Sequence, residues 1–107
     1  MPRLAAALLL TASLGAFAAN EPEFSLAIDN HRFAPDRIEV PAGKKVKLVV
    51  ENRDATPEEF ESETLKVEKI IPGKSRATIF VGPLKAGEYK FVGEYNQKTA
   101  QGVIVAK

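Results

Sequence analysis

The run Lys44 to Asn52 (KKVKLVVEN) puts Val46, Leu48 and Val50 on one side of an extended chain and Lys45, Lys47 and Val49 on the other. That period of two marks a strand with one face buried. The pattern recurs. Glu23 to Asp29 sets Phe24, Leu26 and Ile28 against polar or small residues, and Arg37 to Val40 pairs Ile38 with Val40. Ser75 to Val81, Glu88 to Gly93 and Gly102 to Ala106 also read as strands. Breaks fall between them: Asn30-His31-Arg32, a turn at Phe33 to Asp36 carrying one apolar plug, Pro41-Ala42-Gly43, and the loop Pro83 to Gly87. Pro fixes φ at such turns and Gly supplies the permissive position. Glu94 to Gln101 is polar and irregular, and no stretch of useful length carries the helical period. Seven or eight short strands so spaced predict an all-β, Greek-key β-sandwich.

The first residues do not share the pattern. Met1 and Arg3 precede an apolar run from Leu4 to Leu14, followed by Ala16-Phe17-Ala18. This is the layout of a cleaved secretory leader over residues 1–19, and residues 20–107 form one domain. The run is short for a membrane span, which needs ~20 residues. The expected compartment is the bacterial periplasm, with no membrane-embedded part. Losing Arg3 takes the 15 basic residues to 14, against 14 acidic ones. A nucleic-acid binder needs a basic excess, so that class is set aside. The chain has no cysteine, which removes both a disulfide staple and the thiolate of a blue-copper site.

Charge is unevenly placed. Asn52 to Gly73 holds Asp54, Glu58, Glu59, Glu61, Glu63 and Glu68 between basic, apolar-alternating strands. Carboxylates and imidazole suit hard cations such as Fe(II/III) and Mn(II). Strand alternation puts Glu59 and Glu61 on one face, and Glu58, Phe60 and Ser62 on the other. With Phe60 in the core, Glu59 and Glu61 point outward.

Two strings resemble the cupredoxins. Phe33-x-Pro35-x-x-Ile38-x-Val40-x-Ala42-Gly43, with an apolar strand closing at Asn52, is similar to their N-terminal half. Pro83-x-x-x-Gly87-x-Tyr89-x-Phe91-x-Gly93 resembles the strand leading into their metal-binding loop. The resemblance implies a cupredoxin-like sandwich. Where blue-copper members carry His, then Cys, His and often Met, this chain has Glu58 or Glu59, then Val92, Glu94 and Asn96. Glu59-Phe60-Glu61, Glu68-x-x-Ile71-Pro72-Gly73 and Gly93-Glu94-Tyr95-x-x-x-Thr99-Ala100-Gln101-Gly102 look like a cysteine-poor branch found in bacterial ferrous-iron uptake. Within it, the small stand-alone periplasmic component is the best match. That resemblance implies binding, and as an enzyme oxidation, of Fe(II), with iron or copper as the bound ion. It implies an iron permease or other membrane components of the uptake system as partners.

The expected metal residues are Glu59, Glu61, Glu68, His31 and Glu94. Blue-copper spacing favours Glu58 instead of Glu59, and the sequence leaves the two open. A carboxylate at Glu68 would face Glu61 across the sheet. His31 is the one histidine, and Asn96 stands where the resemblance places a His. The competing reading is a metal-free interaction module that kept the sandwich and lost the site. No nucleophile–base pair or phosphate loop supports a hydrolase or transferase.

Overall fold

The computed structural model describes residues 21–107, so the leader expected over 1–19 lies outside the described residues. The strands are β1 (Glu23–Asp29), β2 (Arg32–Ala34), β3 (Arg37–Val40), β4 (Val46–Asn52), β5 (Glu58–Ser62), β6 (Val67–Ile71), β7 (Ser75–Val81), β8 (Gly87–Gly93) and β9 (Gln101–Ala106). They form a four-stranded sheet in the order β2-β1-β4-β7 and a five-stranded sheet in the order β3-β9-β8-β5-β6. β1 runs parallel to β4 and β3 parallel to β9, while the other neighbours are antiparallel. The predicted all-β sandwich is what forms.

Alternation explains the core. β4 reads buried and half-buried in turn, with Val46, Leu48 and Val50 fully covered. Opposite it, Phe60 and Phe91 stack with ring centroids 4.8 Å apart, and Phe33 meets Phe91 edge-on at 4.8 Å. Such aromatic pairs add about 0.5–1.5 kcal/mol beyond the area they bury. Among the described residues no helix is long and apolar enough to cross a membrane.

The structure departs from the sequence reading in two places. The turn expected from Phe33 to Asp36 starts as β2, which returns along β1 with Ile28 opposite Phe33. The hairpin loop is Asn30-His31, with φ of 55° and 59°. Two left-handed residues match the twist of a hairpin, but side chains other than Gly adopt them at a cost. The Asp54 carboxylate accepts the Asn30 N–H at 2.8 Å and the His31 N–H at 3.0 Å, which holds the loop in place. The second difference is the polar stretch after β8, where Glu94–Asn96 forms one 3-10 turn before β9.

Candidate functional site

The acidic segment is anchored by Asn52, the last residue of β4, which is 1% exposed. Its Nδ2 donates to Thr56 O at 2.9 Å, Ile71 O at 3.0 Å and, more weakly, Pro72 O at 3.3 Å. Its Oδ1 accepts the Asp54 N–H at 3.0 Å. One side chain thus ties both ends of the segment together.

Within β5 the faces alternate as the sequence requires: Glu58, Phe60 and Ser62 are buried, and Glu59 and Glu61 half-buried. Glu58 is 1% exposed. A carboxylate so deep needs donors, because an unpaired one is strongly penalised. Oε1 accepts the N–H of Tyr95 at 2.9 Å and of Glu59 at 3.1 Å. Oε2 accepts Asn96 Nδ2 at 2.6 Å. Gly93 makes the room: a Cβ there would stand 2.7 Å from Glu58 Cδ and 2.7 Å from Ala100 Cβ.

Glu59, Glu61, Glu68 and Glu94 gather on the opposite, outer side of the five-stranded sheet. Glu61 lies directly across from Glu68 on one side and Val92 on the other. A hydrogen bond to the Glu94 carboxylate, partial burial, and the charges of Glu94, Glu68 and Glu59 push Glu61 up to about 7. Gln97 Nε2 donates to Glu94 Oε1 at 2.9 Å. Shallow depressions flank Glu61, one bounded by Lys66 and Glu68 and the other by Lys90 and Glu94.

His31 is not in this group. It is exposed in the β1–β2 loop, its N–H on Asp54 and its carbonyl accepting Thr99 Oγ1 at 2.6 Å. Burial pushes Asp54 up, but the His31 and Asn30 N–H groups and the charges of His31 and Lys74 outweigh it and hold the carboxyl below its usual value. Among the described residues no group of three or more His, Asp or Glu side chains is placed to hold a metal ion. The four glutamates form a like-charge patch, not a finished coordination set.

Three structural roles at the site do not follow from the sequence reading. The sequence leaves Glu58 and Glu59 as alternatives, although the face Glu58 shares with Phe60 is the signal that buries it. Asn96 read as a lost ligand, whereas its amide is the partner of Glu58. Asn52 has local partners in Asp54 and Thr56, but nothing near it in sequence signals its bonds to Ile71 and Pro72, 19 and 20 residues away.

The donor set decides against the copper of the blue-copper members. There is no cysteine, His31 faces elsewhere, and the Glu58 position is filled by three donors from the protein.

The family profile described as cupredoxin-like domain matches residues 2–106. The uncharacterized protein RP394 of Rickettsia prowazekii (strain Madrid E) is 42% identical over 83 residues, 78% of this chain and 66% of that protein, so the chain spans just under two thirds of its relative. Among solved structures, auracyanin A, a "blue" copper protein from Chloroflexus aurantiacus, superposes with a TM-score of 0.67 at 14% identity, covering 82% of this chain and 100% of that one. The metal-binding domain of the Cu(I)-exporting P-type ATPase CopA of Streptococcus pneumoniae, solved with Cu(I), gives 0.68 at 14% identity, covering 79% and 84%. At such identities the structures speak for the fold alone. The profile match over nearly the whole sequence shows that the chain belongs to the cupredoxin-like domain family.

Proposed function

We propose that this protein is a periplasmic cation-binding component of a bacterial ferrous-iron uptake system. Fe(II) would be its cargo, held at the outer carboxylate patch and passed to an iron permease. The observation that carries this reading is the crowding at Glu61, where like charges and a hydrogen bond to Glu94 hold the carboxyl up to about 7. A divalent cation relieves that repulsion better than a proton does, and all-oxygen ligands suit Fe(II) or Mn(II) over Cu(I). Among the described residues no more than two carboxylates are placed to share one ion, so solvent must complete the coordination. Weak binding follows, which suits a site that hands its ion on. The activity proposed is binding, without an oxidation step.

Calorimetric titration of metal-free protein with anaerobic Fe(II), Mn(II) and Cu(II) tests this. Dissociation constants for Fe(II) and Mn(II) at or below about 1 mM are expected, in the range of sparsely liganded oxygen sites. The double substitution Glu61→Gln with Glu68→Gln should weaken Fe(II) at least about tenfold, or 1.4 kcal/mol. Absence of binding at millimolar Fe(II) would sink the reading.

One observation favours a second reading, a metal-free interaction module. The fold's interior ligand position is closed by the Glu58–Asn96 hydrogen bond at 2.6 Å. In iron-limited cells the module reading expects the double glutamine variant to support uptake as well as the wild type. The cation reading expects it to fail.

A further inference from the structure

We infer that Glu58 and Asn96 form a clasp that, with protein atoms alone, fixes the loop after β8 against the start of β5. The two residues are 38 apart in sequence and joined at 2.6 Å. All contacts on the Glu58 carboxylate are donors, from Asn96 Nδ2, the Tyr95 N–H and its own neighbour's N–H at Glu59. Charge-assisted bonds of this kind are about twice as strong as neutral ones.

The rest of the loop closes around this point. Ala100 N–H donates to Asn96 O at 2.8 Å, Thr99 N–H to the same oxygen at 3.1 Å, and Gly93 N–H to Ala100 O at 2.9 Å. Thr99 Oγ1 ties the loop to His31 O at 2.6 Å. Gly93 and the fully buried Ala100 leave no side-chain volume that would separate Glu58 from its donors. An ion entering here would have to displace the Asn96 amide and the Tyr95 N–H while losing its own water. The loop is therefore ordered without a metal.

The test is backbone amide exchange by NMR on chelator-treated protein. Tyr95 N–H should exchange at least about 100-fold more slowly than in an unstructured peptide, as expected for a bond broken only by local opening. Added Cu(II), Fe(II) or Zn(II) should leave that rate within about twofold, since no stabilising ligand joins the clasp. Asn96→Ala should speed exchange at Tyr95 about tenfold, the effect of losing one good hydrogen bond, with core amides such as Phe60 and Ile104 unchanged. Free exchange at Tyr95 in metal-free wild type, with protection appearing only on addition of metal, overturns the inference. So does an Asn96→Ala variant with wild-type protection at Tyr95. The chelator arm needs no variant, so a failure of Asn96→Ala to fold leaves the test decisive. Cation binding at the outer patch is read separately, at the Glu61 and Glu68 signals, so either idea can fail alone.

Discussion

Replacing Asn52 with alanine probes the anchor that ties together the two ends of the acidic segment. The amide has two N–H groups for three carbonyls, and Pro72 O, at 3.3 Å, also receives Ser75 Oγ at 2.7 Å. Three full bonds are therefore at stake: to Thr56 O, to the buried Ile71 O, and from the Asp54 N–H. At about 1 kcal/mol each, with the buried carbonyl left unsatisfied, the loss is about 3 kcal/mol. For a domain of this size that lowers Tm by roughly 10–25 °C. Such a loss is a large share of the ~5–15 kcal/mol that holds a typical domain together.

Urea unfolding followed by circular dichroism measures it, with Asn52→Asp as the companion. Aspartate keeps the acceptor for the Asp54 N–H but turns both donors into oxygen facing the Thr56 and Ile71 carbonyls. It should cost at least as much as alanine at pH 7. Acidification should restore part of its loss, because a protonated carboxyl donates once. The aspartate's folded-state pKa is raised, so its stability falls as pH rises through that value. A loss below about 1 kcal/mol for alanine, or an aspartate variant as stable as wild type, would refute the anchoring argument.

Two further outcomes follow from the packing and the charge. Gly102→Ala would set a Cβ 2.5 Å from Phe91 Cε1 and 3.0 Å from Asp36 O, so the Phe33–Phe60–Phe91 stack must shift; thermal unfolding should show about 1–3 kcal/mol lost, and a neutral substitution would mean the stack is looser than described. Glu61 holds its proton up to about 7 when folded and near 4.5 when not, so it makes the native state less stable as pH rises between those values. Glu61→Gln should therefore flatten the Tm-versus-pH curve over that window and raise relative stability at pH 8, and an unchanged slope would show that the four glutamates do not repel as their placement implies.

Strand parity was legible wherever it was strict. Val46, Leu48 and Val50 announced β4, and EEFES announced that Glu59 and Glu61 leave the core while Phe60 enters it. The same parity carried the burial of Glu58, but a charged residue in a core runs against composition, and only its donors make the position tolerable. Those donors come from Tyr95 and Asn96, on a loop whose approach is set by tertiary structure. The Asn30-His31 hairpin was hidden for a related reason. Its left-handed backbone has no glycine to signal it, and the stabilising carboxylate is 24 residues away at Asp54. Local propensity encodes the strands, whereas long-range hydrogen bonds decide what a polar residue does.

This bears on how the acidic segment should be understood. Asp54, Glu58 and Glu61 fall within eight positions and carry the same group, yet each meets a different environment. Asp54 faces two backbone N–H groups and serves as a brace for the β1–β2 loop. Glu58 faces an amide and two N–H groups and is spent on the β8–β9 loop. Glu61 meets other carboxylates instead of fixed donors, which leaves its repulsion for a proton or a cation to relieve. Structural carboxylates are those the protein has supplied with donors, and a ligand-binding one is expected where it has not. By that criterion the cation we propose would sit on the sheet's outer face, at Glu61, and not at the buried Glu58, whose acceptors the protein already fills.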